Sequence, residues 1–332
     1  GALFVGGVFV ILFFRDRGWH WGGAVVAALI FSFGGSAAWR AQHIGQILSL
    51  SYLPIALFLL DRALLRSSVL YGTSAGLAAA FLVLGRDQVS LLGVYVLAAW
   101  LAVHWLSADD RGGAIRASLS PLVAGVVVGA IVSLPPVMLT WLLAEQSNRP
   151  EIDFIGAGRG SLHPALLITT FIPHLFGAAY EMEKYWGPPS FAWNDTGLFL
   201  AQNMGVLYLG AAPILLIIVN GVMRGALWSR DIRFFSIGAA VMLLYALGWY
   251  TPIFKLVHEG APGINLYRRP ADATFLIGFF LAYCAGWLTH RLLVGAEAIH
   301  TDMERWIGVA IVLAIFVWAL ALGVRIDRLS MT

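Results

Sequence analysis

The chain has 332 residues, 60% of them hydrophobic and only 12% charged, with a mean hydropathy of +0.81 and a formal net charge of +3. Soluble domains carry roughly 25% charged residues, so a water-soluble enzyme is excluded and a membrane protein is indicated. Apolar runs long enough to cross a hydrocarbon core of about 30 Å recur along nearly the whole sequence. Backbone amides in lipid must be satisfied within their own segment, and a closed barrel would instead show short alternating segments, so the spans are helices. The expected fold is all-α: a polytopic transmembrane helical bundle of about ten spans, with one long extracytoplasmic loop that carries an interfacial helix.

In chain order the spans are predicted at 1–14, 21–39, 44–61, 68–84, 88–106, 114–143, 203–221, 232–249, 272–291 and 305–324. The sixth is long enough to tilt, or to break and kink at Pro135-Pro136, where two backbone donors are missing. These spans group into an N-terminal bundle over 1–144, a loop over 145–202, a C-terminal bundle over 203–324 and a polar stub over 325–332. Apolar sequence starts at Gly1 with neither an initiator methionine nor the charged flank of a signal peptide, so an internal fragment is expected. The single cysteine, Cys284, lies in an apolar run, which excludes a disulfide or a thiolate metal site within the chain.

Basic residues in short loops set the orientation. Under strict alternation Arg15 and Arg17, Arg62 and Arg66, Arg111 and Arg116, Arg224, Arg230 and Arg233, and Arg291 and Arg305 share one side, which is expected to be cytoplasmic. Arg40, Arg86, the stretch 145–202 and the stretch 250–271 then face outward. Within 145–202, His163-Pro164 leads into an apolar run over 165–172 that is too short to span and reads as a helix lying on the outer leaflet. Gly156-Ala157-Gly158-Arg159-Gly160 follows no strand, so it does not read as a phosphate loop.

The residues able to carry chemistry cluster on the predicted outer side. Arg86-Asp87-Gln88 occupies a tight turn between two spans; it is either a local ion pair at the water interface or a general base beside an anion-binding guanidinium. Arg40 and His43 are three apart, so a helical turn would let them share a phosphate; a solvated interfacial histidine is the plainer alternative. No partner at metal-ligand spacing accompanies it, and no cofactor is expected. Tyr267-Arg268-Arg269-Pro270 opens the ninth span, where two arginines at the positive end of a helix dipole call for an anion, a bound ligand or an ordinary lipid headgroup. Tyr185, Trp186 and Trp193, with Asp195 nearby and His174 upstream, suit a sugar and equally suit an interfacial aromatic belt.

Taken together, several strings resemble a known family. Phe31-Ser32-Phe33-Gly34-Gly35 through His43 to Tyr52-Leu53-Pro54 and Leu60-Asp61-Arg62 is similar to a stretch of the YfhO-like bacterial membrane proteins. Leu84-Gly85-Arg86-Asp87-Gln88, Leu134-Pro135-Pro136, His163-Pro164 through Phe171-Ile172-Pro173-His174-Leu175-Phe176-Gly177, and Tyr267-Arg268-Arg269-Pro270-Ala271 follow in the same order. The resemblance implies a type C glycosyltransferase fold in the bacterial cytoplasmic membrane, taking a sugar from a polyprenyl-phosphate carrier and passing it to a cell-envelope acceptor outside. It also implies a catalytic aspartate in a first outer loop, which has no counterpart after Gly1, and an early tryptophan-asparagine-proline segment that is absent.

On that expectation Arg40, His43, Arg86, Arg268 and Arg269 bind the carrier phosphate, and Asp87 or Asp195 is the base unless an earlier loop supplies it. His174, Tyr185, Trp186 and Trp193 contact the sugar or acceptor. Expected partners are the lipid-linked sugar, membrane lipids and other membrane subunits, with no nucleic acid. A non-catalytic subunit scaffolding a larger assembly, and a transporter or flippase of an anionic lipid-linked sugar, are the alternatives from other classes.

Overall fold

The computed structural model describes residues 1–145, 153–158, 160–177, 187–188, 205–295 and the single positions 306, 310, 313, 314 and 317. All regular structure among the described residues is helical. In chain order the helices are α1 (Ala2–Asp16), α2 (Trp21–Phe33), α3 (Gly35–Trp39), α4 (Ile44–Arg66), α5 (Val69–Val83), α6 (Gln88–Ser107), α7 (Arg111–Glu145) and α8 (Phe154–Gly158). They continue as α9 (Ala211–Leu216), α10 (Arg233–Ala246), α11 (Pro252–Gly260) and α12 (Thr274–Leu293), with short 3-10 helices between, among them Pro164–Thr170 and Pro270–Ala273.

Among the described residues, five helical stretches are long and apolar enough to cross a membrane: Trp21–Trp39, Ile44–Arg66, Gln88–Ser107, Arg111–Leu139 and Pro270–Leu293. They coincide with the second, third, fifth, sixth and ninth predicted spans, and they make the chain a helical membrane protein. Val69–Val83, Ala211–Met223 and Arg233–Ala246 are apolar but shorter than a full crossing, and the predicted tenth span lies almost wholly outside the described residues.

Three local differences from the sequence expectation have physical causes. Helix α7 runs through Pro135 and Pro136 without interruption, because loss of two donors does not by itself end the flanking turns. The seventh predicted span starts late: residues 206–210 are not helical, and Gly210 at φ +105° turns the chain into α9. Their polar groups are met elsewhere, since Gly35 donates to the Tyr208 carbonyl at 2.8 Å and Ser36 Oγ to the Val206 carbonyl at 3.3 Å. Irregular backbone in a membrane protein is tolerated when it is buried in protein in this way. Third, the helix expected on the outer leaflet is the 3-10 helix Pro164–Thr170, and Leu166 and Leu167 are buried in protein instead of turned to lipid.

The chain divides into two compact units that do not follow the sequence in order: residues 1–17 with 41–151, and 18–40 with 152–332. The predicted division at 144/145 and 202/203 therefore differs from the observed one, because α2 and α3 pack with α12 rather than with their neighbours in sequence.

The first unit holds α1 and α4 to α7. In lipid, apolar burial gives little drive for helices to associate, so close packing and polar bonds must hold them. Gly76 meets Gly125 so closely that a β-carbon at 76 would fall 2.6 Å from the Gly125 Cα, bringing the backbones of α5 and α7 together. The polar bonds lie at the end of α4. Arg17 forms a two-pronged pair with Asp61, with both contacts at 3.1 Å, and lies over the Phe13 ring. Trp100 Nε1 donates to the same carboxylate at 3.1 Å, and Arg62 holds Asp16 in a second bidentate pair.

The second unit is organised on α12, the most buried of the five long stretches. Phe235 stacks on Tyr283 with centroids 4.3 Å apart, and Phe279 and Phe31 extend the aromatic layer. Helix α2 runs antiparallel to α12 and is fastened at both ends. His20 at the start of α2 meets His290 near the end of α12, and Arg40, just past α3, meets Asp272 just before α12.

Candidate functional site

The turn before α12 carries the features that point to a ligand. Arg269 is one of three described non-glycine residues with positive φ, at +70°, a conformation that costs an ordinary side chain about 1–3 kcal/mol unless its surroundings enforce it. The enforcement comes from the end of α8 and the residues after it. The Arg269 N–H donates to the Ala157 carbonyl at 3.3 Å, and the Ala271 N–H to the Gly160 carbonyl at 3.1 Å. A β-carbon on Gly160 would lie within 2.5 to 2.7 Å of the Cα, Cγ and Cβ of Arg269, so glycine alone permits this approach. Within the run 156–160, Gly160 thus braces an arginine, while Gly158 packs on Trp249. Pro270 follows in the first turn, and Arg268 is exposed.

Arg40 differs from the surface arginine expected from sequence. Its exposure is 0%; it is ion-paired with Asp272, and its guanidinium lies 4.5 Å from the Phe275 ring centroid. Asp272 stands in the first turn of its helix, where a carboxylate suits the dipole. The counterion of Arg40 is therefore internal to the protein. Sequence inspection passed over Asp272, although its place two residues after an N-terminal proline was the available signal. Residues 40–43 form a turn, so Arg40 and His43 do not lie on one helical face as the spacing argument required. His174 is exposed and sits edge-on to Trp39, with centroids 5.3 Å apart.

In the first unit, Arg86 (φ +52°) and Asp87 form the turn into α6. Asp87 is the N-cap: Oδ1 accepts from the Ser90 N–H at 2.9 Å, Oδ2 accepts from Ser49 Oγ at 3.2 Å, and Ser90 Oγ lies 3.2 Å from the Asp87 N–H to close a capping box. His43 precedes α4 without capping it through its side chain. Arg40, Arg268, Arg269 and His174 thus belong to one unit, and His43, Arg86 and Asp87 to the other. Tyr185, Trp186, Trp193 and Asp195 lie outside the described residues. No family model, curated protein or solved structure matches the chain. Among the described residues no cluster of three or more His, Cys, Asp or Glu is placed to hold a metal.

Other polar contacts join residues that the sequence reading did not single out. Asp61 with Arg17 and Trp100, and the His20–His290 contact, were missed in the sequence because their members are 39 to 270 residues apart. No local pattern announces such pairs.

Proposed function

We propose that this chain is a membrane glycosyltransferase of the YfhO-like kind, moving a sugar from a polyprenyl-phosphate carrier to a cell-envelope acceptor on the outer face of the bacterial cytoplasmic membrane. The observation that carries the reading is the turn Arg268-Arg269, exposed at Arg268 and held in a left-handed conformation by Gly160 and Ala157. Strain maintained at a turn is a reason to look for function there.

The chemistry fits the residue type. As an acceptor hydroxyl attacks the anomeric carbon, the bond from that carbon to the phosphate oxygen breaks, and its electron pair leaves with the carrier phosphate. Fixed guanidinium charge at that oxygen lowers the barrier, and arginine matches phosphate geometry while staying charged. A carboxylate takes the hydroxyl proton. Asp195 and Asp87 are the residues proposed for that step, with the loop 145–202 on the outer side.

The test is direct. Arg268→Gln with Arg269→Gln should abolish retention of polyprenyl phosphate in native mass spectrometry and sugar transfer in proteoliposomes. Undiminished retention would overturn the assignment of these arginines. One observation favours a second reading: both Asp87 carboxylate oxygens are engaged in capping α6 and in holding Ser49. A non-catalytic subunit that binds the carrier would retain the lipid yet transfer no sugar.

A further inference from the structure

We infer that the contact between His20 and His290 is an acid-sensitive latch, fastening the start of α2 to the end of α12 when both imidazoles are neutral and releasing it when they gain a proton. The His290 Nδ1 accepts the backbone N–H of His20 at 2.9 Å. The His20 Nδ1 accepts the backbone N–H of Gly22 at 3.1 Å and so caps α2. Both bonds require a lone pair on Nδ1, which fixes each ring as the neutral tautomer with its proton on Nε2. An imidazolium carries protons on both nitrogens and accepts nothing, so one protonation turns an acceptor toward a donor and cancels the bond.

The surroundings leave little to replace those bonds. Trp19 stacks on the His290 ring with centroids 6.3 Å apart, and Trp21 on the His20 ring at 5.8 Å. Helix α2 contributes no titratable side chain of its own. The titratable and charged groups acting on His290 are His20, Arg291 on α12 and Asp231 just before α10. Gly23 packs on the Gly286 carbonyl and the His290 backbone, so the two helix backbones approach closely at this end. Both histidines are half-buried, within reach of protons. The other end of the same helix pair carries Arg40–Asp272 beside the arginine turn, so opening the latch loosens the frame that holds that turn. The latch itself stands on its own bonds, whatever ligand the turn takes.

Hydrogen exchange of the full chain in lipid nanodiscs, at about pH 8 and about pH 4.5, well to either side of the ordinary imidazole value, tests it. After correction for intrinsic chemistry, the peptide covering 19–24 should exchange at least about tenfold faster in acid, while the centre of α12 stays protected. The double variant His20→Asn with His290→Asn should lose that acceleration, because asparagine Oδ1 takes the place of Nδ1 and does not titrate. Equal exchange of 19–24 at both pH values in the native chain, or equal acceleration in the variant, overturns the latch. Should the variant fail to fold, nitrogen NMR of labelled histidines in the native chain decides. Protonated Nε2 with bare Nδ1 at both rings near neutrality is the expected result, and a protonated Nδ1 at either overturns it.

Discussion

Arg40 and Asp272 close a buried ion pair between the end of α3 and the first turn before α12, across 232 positions of sequence. Side-chain exposures of 1% and 7% leave neither charge much water, and a buried pair is costly to break from one side because the survivor has no solvent. Asp272→Asn should therefore destabilise the protein by about 3–5 kcal/mol. Arg40→Met combined with Asp272→Leu should recover most of the loss. Thermal unfolding in detergent reads both, and a neutral Asp272→Asn would mean that the pair is not the fastening described here.

Gly160 makes the left-handed Arg269 possible. Gly160→Ala would drive a β-carbon into the Arg269 backbone, so the turn must shift. The expected outcome is weaker retention of polyprenyl phosphate with only a modest stability loss, about 1–3 kcal/mol, comparable with other overpacking substitutions. Arg269→Gly relieves the strained φ and should not reduce stability, although it removes a charge. Unaltered lipid retention in Gly160→Ala would separate the conformation of the turn from its binding role.

Helical content and the long spans could be read from apolar run length, because lipid demands it locally. The second, third and ninth spans were placed within a few residues of the helices observed. What lay beyond local pattern was whatever depends on distant partners. Gly34 splits the second span, yet nothing near it in sequence signals that Tyr208 and Val206 will receive the freed backbone and Ser36. Arg40 looked like an outer-surface arginine because its counterion is remote. Asp87 reads as a chemical group in a short turn, and Ser90, three residues on, also spells the cap that the structure shows.

Asp87 offers a clean separation of cap from base. Asparagine caps helices as well as aspartate does, whereas alanine does not, so Asp87→Asn should keep stability within about 0.5 kcal/mol while Asp87→Ala loses about 1 kcal/mol or more. If Asp87 only caps α6, sugar transfer in Asp87→Asn equals that of the native chain. Loss of transfer with native stability would make it the proton acceptor.

The pair between Asp16 and Arg62 predicts a pH dependence of defined sign. The hydrogen bond from the Arg62 guanidinium, with its charge and those of Arg66 and Arg17, holds the Asp16 carboxyl below its usual range despite partial burial. A carboxyl whose value is lowered in the folded state contributes its full stabilisation above the unfolded value, about pH 4, and loses it as pH falls through the lowered one. Both side chains are about a fifth exposed, so solvent screening keeps the contribution small, about 1 kcal/mol or less. Unfolding followed at about pH 7 and at about pH 3 should show the native chain ahead of Asp16→Asn at the higher pH. The two should converge at the lower one, because the protonated carboxyl no longer pairs with Arg62. A gap that persists or widens in acid would assign Asp16 some other part in holding the end of α1 to α4.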